Sequence, residues 1–99
     1  MTKYKQYFKE MWEENSEIVA GFQDIHDKYQ VDRKTWSQRF HQEGQVVIEI
    51  IRDYERRLCS GMEKGKNSVY SARLAEKFWA EVKLHLPLIE RVGVKSNLD

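Results

Sequence analysis

The stretch YKQYFKEMWEENSEIVAGFQDIHDKY, running from Tyr4 to Tyr29, decides the fold. Within it Tyr4, Phe8, Met11, Asn15, Ile18, Phe22, Ile25 and Tyr29 alternate by four and three residues, the spacing that aligns side chains in one stripe of an α-helix. Trp12, Val19 and His26 flank the stripe and widen it past a two-stranded seam, so this face is expected to touch more than one neighbouring helix. The spacing predicts a helix from about Thr2 to Tyr29.

Gln30, Val31 and Asp32 then make a short break, with the Asp32 carboxylate placed to cap a second helix. Short connections make antiparallel neighbours. The stripe of this second helix is Phe40, Gly44, Val47, Ile51, Tyr54 and Leu58, flanked by Trp36, Ile48 and Ile50, and it stops near Gly61. Folding back as a hairpin sets Phe22 opposite Phe40, Ile18 opposite Gly44 and Asn15 opposite Val47. Gly44 then either permits close backbone approach or is a weak point costing ~1 kcal/mol relative to alanine.

Gly61 to Ser68 is expected to be a loop, and Asn67, Ser68 or Ser71 to cap a third helix reaching about His85. Its apolar positions are Leu74, Ala75, Phe78, Trp79, Val82 and Leu86. Pro87 ends that helix and starts a further turn through Leu88, Ile89 and Val92, which Gly93 closes. The sole proline and only five glycines leave too little punctuation for a sheet. The expected fold is all-α: a long antiparallel helical hairpin with a shorter third helix and a C-terminal helical turn, a three- to four-helix bundle. Residues 1–94 are expected to form one helical domain and residues 95–99 a frayed tail.

Charged residues make up 33% of the 99-residue chain and hydrophobic ones 40%, a balance suited to amphipathic helices around one modest core. The formal net charge of +1 provides little long-range attraction to nucleic acid or an anionic membrane. A single cysteine, Cys59, excludes an intramolecular disulfide framework and fits a reducing compartment, so a cytoplasmic location is expected. No apolar run exceeds three residues, as at Val46 to Ile48, which falls far short of a signal peptide or a membrane span.

Four groups of residues invite a chemical reading. The segment Gly61-Met62-Glu63-Lys64-Gly65-Lys66-Asn67-Ser68 has the glycines and lysine of a phosphate-binding loop. Yet only three residues separate the glycines, Asn67 stands where Ser or Thr is required, and no buried strand precedes it. His26, His41 and His85 suggest a metal, but none has a glutamate three residues before it, and Glu81 with His85 is one pair on one helix face rather than a site. They are expected to be separate imidazoles, facing solvent or partly packed. Cys59 follows Arg56 and Arg57, whose charge favours a thiolate, but no histidine is near in sequence and a small buried thiol is expected.

Arg52, Arg56, Arg57, Lys64, Lys66 and Arg73, with Tyr54 and Tyr70 among them, offer the cations and rings of a nucleic-acid contact. Asp53, Glu55 and Glu63 interrupt the run, as on a solvated helix face with internal ion pairs. Asn15 occupies an apolar position of the first stripe, where one asparagine can fix register or oligomeric state.

Twelve aromatic residues, among them Trp12, Trp36 and Trp79, exceed what three short amphipathic helices are expected to enclose. The expected function is therefore a non-enzymatic protein–protein interaction module, a scaffold, adapter or regulator, assembling as a homodimer and contacting a further protein. Tyr4, Phe8, Trp12, Asn15, Val19 and Phe22 are the expected interface. A nucleic-acid-associated protein using Arg52 to Arg73 is the alternative. No catalytic constellation, cofactor or metal is expected, because no nucleophile, base and orienting group come together at these spacings.

Overall fold

Asn15 divides the first predicted helix in two. The computed structural model describes residues 2–60 and 71–94. Among these residues the elements are α1 (Lys3–Glu14), α2 (Ser16–Val31), α3 (Arg33–Ser60), α4 (Ala72–His85) and a 3-10 turn at Ile89–Arg91, with no strand. The loop and candidate caps at 61–68, Lys64, Lys66, Tyr70 and the expected tail at 95–99 lie outside the described residues.

The break has a local cause. Asn15 leaves the helical region, at φ −122° and ψ 31°, while its backbone N–H and its side-chain Nδ2 both donate to the Met11 carbonyl, at 3.2 and 3.0 Å. An asparagine that bonds the carbonyl four residues back competes with the helical ladder and bends it. One stripe position beside the break turns outward. Ile18, expected within the stripe, is 48% exposed, while the flanking Val19 is enclosed. Beyond the break, Phe22, Ile25, His26 and Tyr29 point inward together.

Only Asp32 separates α2 from α3. Its carboxylate caps α3 as expected, accepting from the Thr35 backbone N–H (3.2 Å) and the Thr35 hydroxyl (2.6 Å). α2 and α3 pack along one another more extensively than any other pair of helices. Phe22 meets Phe40 with ring centroids 5.5 Å apart, as the sequence predicts, and Tyr29 stacks on Phe40 at 3.9 Å with the planes within 4°. Towards α1 the expected register fails. The nearest atoms to a β-carbon on Gly44 belong to Val92 and Phe22, not Ile18, and Asn15 shares a hollow with Ile50 and Tyr54 rather than facing Val47.

α1 diverges from α2 at the break and packs against both α3 and α4. α4 begins where the Ser71 N–H donates to the Cys59 carbonyl (3.3 Å), and the Ser71 hydroxyl caps it by accepting from Leu74 N–H (3.3 Å). It stops at His85, ahead of Pro87, and the 3-10 turn follows; Gly93, at φ +83°, closes the segment as predicted. The core joins all four helices: Phe8 and Met11 of α1, Phe22 and Tyr29 of α2, Phe40, Val47, Ile51 and Leu58 of α3, Phe78 and Val82 of α4, with Leu86 and Ile89 beyond it. At about 1.5 Å per residue the 28 residues of α3 account for most of the 49 Å long dimension. No described helix is long and apolar enough to cross a membrane.

Candidate functional site

The residues expected at an interface have divided fates. Phe8, Val19 and Phe22 are buried in the chain's own core, and Asn15 is held against Met11 and Tyr54. Tyr4 and Trp12 are half-buried at the core's edge. The aromatic surplus is also smaller than composition implies. Of the eleven described aromatics, six are buried and five half-buried, so none stands free of the fold.

What the fold does build is an aromatic face between α1 and α4. The Phe8 ring stacks on His85 with centroids 4.8 Å apart, and Trp12 lies 5.5 Å from both Phe8 and His85. Phe8 and Trp12 come together because four residues separate them on one helix; His85 arrives from the far end of the sequence at the last residue of α4. These rings line an open groove of about 520 Å³, bordered by Lys5, Lys9, Glu13, Gln23 and Glu81. Its lining is mainly apolar although its rim carries both signs of charge. Glu81 Oε2 lies 3.4 Å from His85 Nε2, as their spacing of four predicts. No sequence signal joins Phe8 to His85, because 77 positions separate them.

The three tryptophans differ in what satisfies them. Trp36 has Lys28 and Arg39 against its ring, 4.8 and 5.7 Å from the centroid. Trp79 donates its indole N–H to Glu55 at 2.7 Å. Among the described residues Trp12 has neither a cation over its ring nor a hydrogen-bond acceptor; its ring packs with Phe8 and His85. Trp12 and Trp36 are thus both half-buried with no acceptor for the indole N–H among the described residues, and Trp12 alone also lacks a cation over its ring.

The basic cluster is only partly assembled. Asp53 pairs with both Arg57 (2.6 Å) and Arg56 (3.6 Å), and Arg57 also covers the Tyr54 ring at 4.9 Å. Arg52 is exposed beside Trp79 and Glu90, and Arg73 is exposed at the start of α4. Cys59 is buried, in keeping with a packed thiol.

The histidines do not converge. Among the described residues no three His, Cys, Asp or Glu side chains gather in a metal-binding arrangement. His26 departs from its expected partial packing, being wholly enclosed. Its Nε2 accepts the Leu88 backbone N–H at 3.0 Å and its Nδ1 lies 3.1 Å from Asp27 Oδ1. His41 accepts the Gly93 N–H through Nδ1 at 2.9 Å.

Tyr54, on α3, ties itself to the α1 break by donating its phenol to Glu14 and bonding Asn15. Burial raises its pKa above the ordinary tyrosine value, and the hydrogen bond and negative charge of Glu14 raise it further; Arg57 and Asn15 pull the other way. Comparison of the chain with protein-family models, curated proteins and solved structures finds no match.

Proposed function

We propose that this chain is a non-enzymatic helical interaction module that pairs with a second copy of itself through the α1–α4 face. In this reading α1, α2 and α3 form a bent antiparallel hairpin, and α4 lies across its open end to complete the face. Trp12 carries the proposal: a half-buried indole with no hydrogen-bond partner among the described residues, packed with Phe8 and His85 in an open groove. Tryptophan is enriched among the few residues that dominate the binding energy of interfaces.

A second copy is the occupant because the rim carries both signs. Lys5 and Lys9 stand on α1 with Glu13 one turn further on and Glu81 across on α4. A twofold contact presents one surface to itself, so the cations of each copy can meet the acids of the other. The exposed Lys9–Glu13 pair, at 3.9 Å, contributes little within one chain and is readily exchanged for such contacts. As a scaffold, adapter or regulator the dimer would work in the cytoplasm, where a lone cysteine stays reduced. The nucleic-acid alternative gains no support, since Asp53 already neutralises part of the cluster it needs.

Sedimentation equilibrium on the full chain tests the proposal. The wild type is expected to dimerise at micromolar concentration, and Trp12→Ala to weaken the dimer by about ten-fold or more while leaving helicity intact. A wild type that stays monomeric, or a dimer indifferent to Trp12→Ala, overturns it.

A further inference from the structure

Two histidines from different helices hold the same piece of chain. His26 of α2 accepts the Leu88 N–H through Nε2 at 3.0 Å, and His41 of α3 accepts the Gly93 N–H through Nδ1 at 2.9 Å. Between these anchors the segment seats Ile89, fully enclosed, and lays Val92 against Gly44 and Phe22. We propose that the segment from Leu86 to Val94 is a strap that neutral histidines hold closed and that acid releases.

The chemistry follows from which partner donates. A backbone N–H can only donate, so the ring nitrogen facing it must present a lone pair. His26 is therefore the Nδ1–H tautomer, its proton directed at Asp27 Oδ1 3.1 Å away, and His41 is the Nε2–H tautomer. A doubly protonated imidazole carries N–H on both nitrogens and has no acceptor left. One added proton per ring thus turns each attraction into two N–H groups facing one another. Histidine is the side chain that ordinarily changes charge between about pH 5 and 8.

At His26 the neighbouring charge does not substitute for the lost bond. Asp27 lies at the other nitrogen of His26, so it steadies a charged ring without restoring an acceptor for Leu88. His41 has the edges of Tyr29 and Phe40 around it and shares its hollow with Lys34, which opposes a second cation; Arg33 lies over the far ring, Tyr29. On the strap itself Glu90 is bound to Lys83 at 3.1 Å, and Arg91 adds positive charge. Opening the strap lifts Ile89 and Val92 from α3 and bares an apolar seam at Gly44, Phe22 and Ile48.

Nuclear magnetic resonance on the full chain tests this directly. At about pH 7.5 the ring nitrogens of His26 and His41 are expected to report opposite tautomers. On lowering the pH to about 5.5, hydrogen-exchange protection factors at Leu88 and Gly93 are expected to fall about ten-fold, while those of Val47 and Ile51 in α3 hold. The double variant His26→Gln, His41→Asn keeps a carbonyl acceptor near each position without a titrating ring, and its strap is expected to stay closed at the lower pH. Matching tautomers, unchanged protection at Leu88 and Gly93, or an equal loss throughout α3 overturns the proposal. The tautomers and exchange of the wild type decide the matter even where the double variant fails to fold.

Discussion

Gly44 and Val92 stand so close that a β-carbon on Gly44 would lie 2.6 Å from one methyl of Val92 and 3.1 Å from the other, with Phe22 Cε1 at 3.0 Å. The glycine lies inside α3, where alanine would gain about 1 kcal/mol in helix propensity. Crowding decides the sign, because Val92 is β-branched and cannot swing its methyls aside, and overpacking costs about 1–3 kcal/mol. Gly44→Ala is expected to destabilise the protein by about 1 kcal/mol, lowering its melting temperature by about 5 °C in a calorimetric scan. A stabilised variant would show that the strap yields freely.

Gly21 supplies the opposite case. It lies on the exposed side of α2, and a β-carbon there meets nothing within 4 Å. Gly21→Ala should therefore gain helix propensity without a clash, raising stability by about 0.5–1 kcal/mol. The two substitutions, compared by urea denaturation, separate a glycine required by packing from one that is not.

The contrast between these glycines shows what the sequence made legible. The four-and-three spacing of Phe40, Val47, Ile51, Tyr54 and Leu58 fixed the inward face of α3, and the caps at Asp32 and Ser71 and the stop at Pro87 followed from local chemistry. Asn15 was visible as an oddity in its stripe, but its hydrogen bond to Met11 is a choice between competing local partners that periodicity does not reveal. The outward turn of Ile18 came with it. The face uniting Phe8, Trp12 and His85, and the two histidine anchors, join residues from distant parts of the chain, where spacing carries no information.

Asp32 makes a prediction about acid. Its bonds to the Thr35 hydroxyl and backbone N–H lower its pKa below the ordinary carboxylate value of 3.8. A depressed folded pKa means that the contribution to stability is present above the ordinary value and is lost as pH falls through the folded one. Asp32→Ala should lower the denaturation midpoint at neutral pH and leave a smaller difference from wild type below about pH 3. Equal differences at both pH values would show that the carboxylate charge is irrelevant to the cap.

Tyr54 makes the complementary prediction about base. Its phenol bridges α3 to the break between α1 and α2 through Glu14 and Asn15, and its pKa is raised by burial and by the Glu14 carboxylate. A raised folded pKa reverses the sign: the contribution is complete below the unfolded value, about 10, and is lost as pH rises through the higher folded value. Ionisation would place a phenolate against Glu14, removing the donor and adding repulsion. Tyr54→Phe keeps the buried ring and deletes only the hydroxyl, so it should cost about 1 kcal/mol at neutral pH and flatten the alkaline limb of the stability curve. Titrating the phenol absorbance of wild type and variant identifies the late-ionising tyrosine; if that late step survives in Tyr54→Phe, the bridge to Glu14 is not its cause.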